Sequence, residues 1–277
     1  MARIKSLSSV VVPFRAPEIT RRIEVFPRRL LDYHDEDMRV ADRFSLIDAF
    51  LDKFPLWSGD DLDGFVPYPV NGSTEAIAAA MRELMRTGRT AVTVDGEYRY
   101  YRYLCDSLSI PHRTATMPDD LRSGDVFITS IPFCRSGGAS ELQLELLRRC
   151  HVENIECWLD RAYLGTGTDV AFDRPSSTTN IFYTFSKNFA LGLQRIGVWY
   201  SRWHMPDRQV VLDCGYTNLG MLALVTDLME HFPRGWLHET YKGLQMSCTS
   251  TPTNIVYMDA YGCITDRMLA RLAREDS

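Results

Sequence analysis

A lysine flanked by hydroxyl side chains and followed by an arginine is the part of this sequence best suited to chemistry. Lys187 comes after Thr184 and Ser186, and Arg195 lies eight residues further on. A lysine amine can form a Schiff base with a carbonyl compound, and hydroxyl and guanidinium groups can hold a phosphate. The same residues could also form a solvated turn, because lysine, serine and threonine are common there. The segment alone leaves both interpretations open.

The segments around this lysine have the composition of buried strands. Ile181–Tyr183 precedes the lysine and Ile196–Tyr200 follows it, and both are apolar and aromatic. Three similar segments lie upstream, at Thr90–Asp95, Asp125–Ile131 and Asn154–Leu159. Helix-forming sequences separate them, with the helix after the second predicted over Ala139–Cys150. This alternation over residues 66–201 predicts an α/β fold with a doubly wound, mostly parallel sheet.

Two further groups could meet the lysine at one edge of such a sheet. Gly72-Ser73-Thr74 begins a helix-forming segment, and a helix N-terminus favours an anion, although it could be an ordinary N-cap. Asp160 directly follows the Asn154–Leu159 segment, and Tyr163 lies three residues later. Ligands of open α/β sheets bind at the carboxyl ends of the strands, which is where this carboxylate is expected.

Taken together, these segments resemble those of a known enzyme family. Thr184 to Phe189 with Arg195-Ile196-Gly197 is similar to the cofactor-lysine segment of fold-type I pyridoxal-phosphate enzymes, in particular aspartate and histidinol-phosphate aminotransferases. Gly72 to Ile77 resembles the family's phosphate-binding segment, and Asp160 with Tyr163 resembles its Asp-x-Ala-Tyr motif. The resemblance covers the middle half of the chain. It implies an aspartate aminotransferase-like fold with a reduced small C-terminal α+β part.

The resemblance also implies a cofactor, pyridoxal 5′-phosphate, and a role for each matching residue. Lys187 would hold the cofactor as a Schiff base and move the substrate's α-proton. Asp160 would keep the pyridine nitrogen protonated, and Tyr163 would hydrogen-bond the phenolic oxygen. Tyr98, or otherwise Tyr101, would lie on the ring. The phosphate would be held by Gly72, Ser73, Thr74, Thr184, Ser186 and Arg195.

The sequence departs from the family pattern at one turn. Most members carry an Asn-Pro-x-Gly turn whose asparagine contacts the phenolic oxygen, whereas this chain has Phe133-Cys134-Arg135. Cys134 and Arg135 are therefore candidate substrate contacts, although Arg135 could also be an ordinary solvated loop residue. No residue matches by motif the arginine with which these aminotransferases bind the substrate's α-carboxylate.

These observations predict an aminotransferase that acts on an amino acid or a related amine, with a keto acid as the second substrate, in specialised biosynthesis. A lyase or decarboxylase of the same fold is the alternative enzyme. An inactive relative that serves as a binding subunit is the alternative outside catalysis. The resemblance further implies a homodimer whose partner subunit contributes an aromatic residue, for which Tyr68, Phe54 and Tyr33 are candidates.

Composition limits the other possibilities. The 277 residues are 45% hydrophobic and 24% charged, and the net charge of −5 argues against nucleic acid or an anionic membrane as partner. The seven cysteines are odd in number and lack a CxxC pair, so neither a disulfide framework nor a metal site is indicated. With no signal-peptide core near the N-terminus and no apolar segment of membrane-spanning length, a cytoplasmic protein is expected.

The sequence divides into three predicted parts. Residues 1–65 form an N-terminal arm and a helix over Met38–Lys53 that Pro55 is expected to end. Residues 66–205 form the cofactor-binding large domain, and residues 206–277 a truncated small C-terminal domain. The last part is predicted to contain helices over Asn218–Phe232 and Trp236–Met246, a strand over Asn254–Met258 and a helix over Thr265–Arg274.

Overall fold

A seven-stranded sheet with helices on both faces occupies the middle of the chain in the computed structural model. The structure describes residues 10–27, 40–134, 136–192, 194–248 and 256–259. The strands are β1 Val10–Pro13, β2 Val66–Val70, β3 Ala91–Val94, β4 His112–Ala115, β5 Val126–Ser130, β6 Glu156–Asp160, β7 Thr178–Thr184, β8 Gly197–Ser201 and β9 Val256–Asp259. The helices are α1 Pro17–Val25, α2 Val40–Ser58, α3 Ser73–Thr87, α4 Arg99–Leu108, α5 Glu141–Glu153, α6 Pro206–Asp213, α7 Leu219–His231 and α8 Trp236–Cys248, and a 3₁₀ turn spans Pro118–Asp120.

The strand order of the large sheet is β2-β8-β7-β6-β5-β3-β4. Strands β3 to β7 run parallel, while β8 is antiparallel to both β7 and β2. The carboxyl ends of β2, β3, β5, β6 and β7 and the start of β8 therefore lie along one edge. This arrangement confirms the predicted α/β class and the mostly parallel sheet.

The two faces of the sheet carry separate hydrophobic cores because side chains alternate along each strand. Leu159 and Ile181 point into the larger core, which also contains residues of α2, α5 and α7. Trp158 and Phe182 point into the other core, which α3 and α4 cover. Strands buried on both faces explain the continuous apolar segments of the sequence.

Two predicted boundaries are wrong, each for a physical reason. Helix α2 continues past Lys53 with Pro55 inside it, and Trp57 in its last turn donates a hydrogen bond from Nε1 to the Phe232 carbonyl at 2.9 Å. This packing outweighs the local cost of proline, roughly 3 kcal/mol within a helix. Asn154, predicted to begin a strand, instead ends α5 in the left-handed conformation with φ of 52°.

The two ends of the described chain contact each other. Strand β1 pairs antiparallel with β9, and Arg22 of α1 forms an ion pair with Asp227 of α7. The Phe14 ring packs edge-on against Tyr241 of α8 at 4.8 Å between centroids. The N-terminal segment was predicted as an arm without β1 or α1, and the predicted terminal helix over 265–274 lies outside the described residues. The three-part division of the chain stays a prediction.

Strand β4 and helix α6 have no counterpart in the sequence prediction. β4 is an edge strand of four residues, His112–Ala115, whose polar sequence lacks the apolar pattern of its neighbours. Helix α6 has none of its side chains buried. Within the described residues, no helix has the length and apolar composition needed to cross a membrane.

Candidate active site

The predicted phosphate-binding segment and the lysine turn meet at the carboxyl edge of the sheet. Gly197 begins β8 and pairs with Thr184 on one side and Val70 on the other. A Cβ atom on Gly197 would lie 2.3 Å from the Tyr183 carbonyl oxygen and 3.0 Å from the Gly72 Cα. Only glycine therefore permits this close approach of three backbone segments.

Gly72 and Arg195 form a positively charged recess at the start of α3. Gly72 has φ of 80°, and a Cβ atom there would lie 2.9 Å from Arg195 Nη2. Arg195 itself has φ of 52°, a conformation that costs a non-glycine residue about 1 kcal/mol or more. The first N–H groups of α3, which include those of Ser73 and Thr74, have no partner within the helix. Guanidinium and helix N-terminus together favour an anion.

The turn that carries Lys187 is fixed by hydrogen bonds and by packing. The Thr184 hydroxyl lies 3.1 Å from Ser186 Oγ, and the Ser186 N–H donates to Thr184 Oγ1 at 3.3 Å. Phe185 points into the larger core, where its ring stacks on Phe189 at 5.9 Å. With its neighbours buried on one side, Lys187 is left at the sheet edge, partly exposed.

The electrostatic surroundings favour a neutral Lys187. Burial lowers the pKa of its amine to about 8, the Asp160 carboxylate opposes this shift, and the Arg195 guanidinium adds to it. A larger part of the amine is therefore unprotonated near neutral pH than for an exposed lysine. The amine, the carboxylate and the guanidinium lie close enough to influence one another, although they come from different segments.

Asp160 ends the central strand β6 as a buried carboxylate, with 3% of the residue exposed. Oδ2 accepts a hydrogen bond from the Tyr101 hydroxyl at 2.6 Å, and Oδ1 accepts one from the Ala162 N–H at 2.9 Å. Burial raises the pKa of Asp160, while the bond from Tyr101 and the charge of Lys187 act in the opposite direction. The side chain is thus held in one orientation at the edge where Lys187 lies.

Two more tyrosines line the space beside Asp160. Tyr163 is buried, and its pKa is raised by burial and then by the nearby Cys134, Asp160 and Tyr98. Tyr98 is 43% exposed, and its ring lies edge-on to Tyr101 at 5.6 Å. The Thr74 side chain is a hydrogen-bonding neighbour of the Tyr98 hydroxyl, so Tyr98 connects the start of α3 with the surroundings of Asp160.

Comparison with known proteins shows the fold. No family model matches the chain, and no curated protein matches its sequence. The chain is similar in structure to N-succinyldiaminopimelate aminotransferase from Mycobacterium tuberculosis, with a TM-score of 0.57 and 16% identity over 84% of this chain and 67% of that one. It is also similar to a methionine aminotransferase, YbdL, from Escherichia coli, with a TM-score of 0.60 and 14% identity over 86% of this chain and 69% of that one.

The fold is that of the fold-type I aminotransferases. L-threonine-O-3-phosphate decarboxylase from Porphyromonas gingivalis shares it, with a TM-score of 0.56 and 13% identity over 86% of this chain and 76% of that one. The fold-type I resemblance of the sequence is thereby confirmed for the architecture. Enzymes of this fold generally use pyridoxal phosphate.

On this fold-type I scaffold, the predicted site residues converge on one edge of the sheet. Gly72, Ser73 and Thr74 begin α3, Thr184, Ser186, Lys187 and Arg195 lie between β7 and β8, and Asp160, Tyr163, Tyr98 and Cys134 surround the end of β6. Arg135 and Tyr33 lie outside the described residues. Tyr68 and Phe54, candidates for a contact across a dimer, are 1% and 0% exposed in the chain's own cores, so neither is available to a partner subunit.

Two features were not found from the sequence. Tyr101 was considered only as an alternative ring contact, whereas it donates a hydrogen bond to Asp160. Glu97 belongs to no motif in the sequence, although its carboxylate accepts several hydrogen bonds from the end of β5. A glutamate between an apolar strand and a tyrosine-rich helix is itself unusual, and that signal could have drawn attention to it. Among the described residues, no group of side chains could hold a metal ion.

Proposed function

We propose that the chain binds pyridoxal phosphate and acts as an aminotransferase on an amino acid or a related amine. The observation that carries this proposal is the convergence of Lys187, Asp160 and Arg195 at the carboxyl edge of a fold-type I sheet. An amine with a lowered pKa, a buried carboxylate and an anion recess are the three groups that this cofactor requires.

The described residues fit the cofactor at each of its polar groups. The recess of Gly72 and Arg195, where a Cβ atom would intrude on the guanidinium, suits the phosphate. Lys187 would hold the cofactor covalently through its amine. Asp160, fixed by Tyr101, would accept a hydrogen bond from the protonated ring nitrogen. Tyr163 would donate to the phenolic oxygen from its buried position.

The reaction then depends on proton transfer by the chain. When bound, pyridoxal phosphate supplies a ring that accepts electrons from the substrate carbon. The Lys187 amine would accept the proton from the α-carbon of the substrate, and its lowered pKa suits it to this role near neutral pH. Asp160 would face the ring nitrogen, and Tyr98 would lie against the ring. Partial exposure of Lys187 leaves room for a substrate to enter.

A decarboxylase is the second candidate. One structural neighbour is L-threonine-O-3-phosphate decarboxylase, and the sequence offers no motif match for the arginine that binds an α-carboxylate. Loss of carbon dioxide and transfer of the amino group share the same first requirements, namely a held cofactor and a mobile lysine amine. A homodimer, a cytoplasmic location and a role in biosynthesis belong to the proposal, as does the further alternative of an inactive relative that serves as a binding subunit.

The test is a visible absorption spectrum of the purified protein with pyridoxal phosphate. We expect a yellow band that is absent in Lys187→Ala and retained in Lys242→Ala, a lysine of α8 that pairs with Glu239 on the surface. Loss of the band on addition of an amino acid and its return with a keto acid would identify an aminotransferase. Release of carbon dioxide would identify a decarboxylase. A protein that stays colourless would overturn both enzymatic proposals.

A further inference from the structure

A second carboxyl group, Glu97, lies beside the site and accepts hydrogen bonds from three residues. Its Oε1 accepts from Thr129 Oγ1 at 2.7 Å, from the Ser130 N–H at 2.9 Å and from Gln143 Nε2 at 3.1 Å. Its Oε2 accepts from Ser130 Oγ at 2.6 Å, with Cys134 Sγ at 3.8 Å. A solvent-exposed glutamate in a loop makes fewer hydrogen bonds to protein groups than this, because such a side chain bonds mostly to water.

These bonds tie Glu97 to the turn that departs from the family pattern. Ser130 Oγ accepts a hydrogen bond from the Cys134 N–H at 3.0 Å, so Ser130 links Glu97 to Cys134. The Cys134 thiol donates to the Gly96 carbonyl oxygen at 3.2 Å. Gln143 in turn accepts from the Ser140 N–H at 2.9 Å, which fixes the start of α5. Glu97 therefore joins three segments: the β3–α4 loop, the turn over residues 131–134, and α5.

The turn held in this way forms one wall of the candidate active site. Burial raises the pKa of the Cys134 thiol, followed by the nearby carboxyl group of Glu97 and, more weakly, that of Asp160. Tyr163 and Tyr101 also respond to the charge of Glu97. The ionisable groups that face Glu97 are thus Asp160, Tyr101, Tyr163 and Cys134.

The carboxyl group of Glu97 is suited to change its charge near neutral pH. Burial raises the pKa of Glu97 to about 7, the hydrogen bonds from Ser130 and Thr129 oppose the shift, and Asp160 adds to it. Three donors occupy Oε1, so a proton has room only on Oε2, which faces Ser130 Oγ. Protonation at Oε2 would replace this charge-assisted bond with a weaker neutral one, in which the carboxyl group donates to Ser130 Oγ. The link from Glu97 to Cys134 depends on that bond.

We infer that Glu97 is a positioning residue: through Ser130 its ionised carboxylate holds Cys134 and the turn over residues 131–134 against the site, and protonation loosens this hold. The hold on Cys134 follows from the contacts, and its dependence on pH follows from the raised pKa of Glu97. Only its consequence for catalysis, a pH-dependent site wall, rests on the proposed function. The two can therefore be tested separately, the first on the protein without added cofactor.

The test is the rate at which iodoacetamide labels Cys134, resolved by peptide mass spectrometry and divided by the rate for Cys105. Cys105 is a buried cysteine of α4, and its burial raises the pKa of its thiol to about 11, so the ratio removes much of the intrinsic pH dependence. We expect the wild-type ratio to be higher at pH 6 than at pH 8.5. In Glu97→Gln, which keeps an acceptor but has no titrating proton, the ratio should not change with pH.

Two variants separate positioning from a general loss of stability. Glu97→Ala and Ser130→Ala remove the link and should raise the Cys134 ratio about tenfold at pH 8.5, the effect of one lost hydrogen bond. Ser130→Ala is decisive, because it keeps the Glu97 charge, which by itself raises the pKa of the Cys134 thiol. An unchanged ratio in Ser130→Ala would overturn the inference. Glu83→Gln, at a half-buried glutamate of α3 that pairs with Arg86, should change nothing. A wild-type pH dependence that persists in Glu97→Gln would overturn the inference. So would an equal increase for Cys134, Cys105 and the buried Cys150, because that pattern indicates global loosening.

The catalytic consequence is measured next, on protein loaded with pyridoxal phosphate. If the proposed function holds, Glu97→Gln should remove one ionisation near pH 7 from the pH profile of turnover and leave the yellow band of Lys187 in place. Labelling that behaves as expected in a protein without such a band would support the positioning role and reject the proposed function. A normal band together with Cys134 labelling that does not change with pH would support the proposed function and reject the positioning role.

Discussion

The two sides of the candidate active site are held by different forces. The lysine side, defined by Gly72, Lys187, Arg195 and Gly197, depends on backbone geometry: strand register, a glycine contact and a residue in the left-handed conformation. The carboxylate side, defined by Glu97, Tyr101, Ser130, Cys134 and Asp160, depends on hydrogen bonds between side chains of separate elements. The backbone geometry of the lysine side does not change with pH. The hydrogen bonds of the carboxylate side do change when its carboxyl groups are protonated.

This difference explains where the sequence was informative. The lysine side is formed largely by one continuous segment, so its residue types and spacing are visible in the sequence itself. The carboxylate side is assembled from β5, β6, α4 and two loops that are distant in sequence. A side chain in such a network has no sequence signature, because its partners are set by the tertiary fold.

The largest expected effect is on the lysine side. Lys187→Ala should lower turnover by at least about 10³-fold, because the residue both holds the cofactor and transfers the proton. The measurement is kcat together with the mass of the protein after borohydride reduction in the presence of cofactor. Lys187→Ala should show no added mass. Added mass at another lysine would show that the chemistry had been assigned to the wrong amine.

The second prediction tests the backbone character of the lysine side. Gly72→Ala places a Cβ atom 2.9 Å from the Arg195 guanidinium, so the Kd for pyridoxal phosphate should rise by about 10- to 100-fold. Gly88→Ala is the matched control: it also has positive φ, 67°, but nothing lies within 4 Å of the added atom. Gly88→Ala should lose about 1 kcal/mol of stability. Gly72→Ala should lose more, because its φ of 80° and ψ of 162° lie in a region that only glycine ordinarily adopts, and it alone should lose affinity. Equal losses of affinity in the two variants would contradict the proposal that the recess of Gly72 and Arg195 binds the phosphate.

The third prediction concerns the pH dependence of cofactor capture by Lys187. Because burial lowers the pKa of the amine to about 8, the unprotonated fraction grows about tenfold between pH 7 and pH 9 and changes little above that. The rate at which the yellow band forms, measured by stopped flow, should follow this curve. For an unperturbed lysine the rate would continue to rise towards pH 10, and that result would contradict the electrostatic description of the site.

The fourth and smallest effect lies on the carboxylate side. Tyr101→Phe removes the hydrogen bond to Asp160 without changing the ring, and should cost about 1–2 kcal/mol of stability and a few-fold in turnover. Tyr103→Phe, on an exposed tyrosine of the same helix, serves as the control. The free energy of unfolding from urea titration and kcat with a fixed substrate pair are the measurements. No difference between the two variants would show that Asp160 does not need this partner.

Features that depend on the local sequence were predicted correctly, whereas features that depend on contacts between distant parts of the chain were not. The strands β5 to β8 were found because each is a short apolar segment whose neighbours also lie in the sheet. Pro55 was misread because proline's local cost is offset by packing of Trp57, which no local pattern records. Asn154 was predicted to begin a strand because it is a polar residue directly before an apolar segment. Its left-handed conformation, which ends α5, is not visible in the sequence. Glu97 was not predicted because its role depends on three hydrogen-bond donors outside its own segment.

The pairing of β1 with β9 has a consequence for synthesis of the chain. A ribosome produces Val10–Pro13 long before Val256–Asp259, so β1 emerges without its hydrogen-bonding partner. The backbone N–H and C=O groups of an unpaired strand can pair with another chain. The central sheet is complete once β8 has emerged, and domains generally fold as units during synthesis. The candidate active site can thus form before β1 has a pairing partner. Pairing of β1 with β9 is then a late, separate event in the biogenesis of the chain.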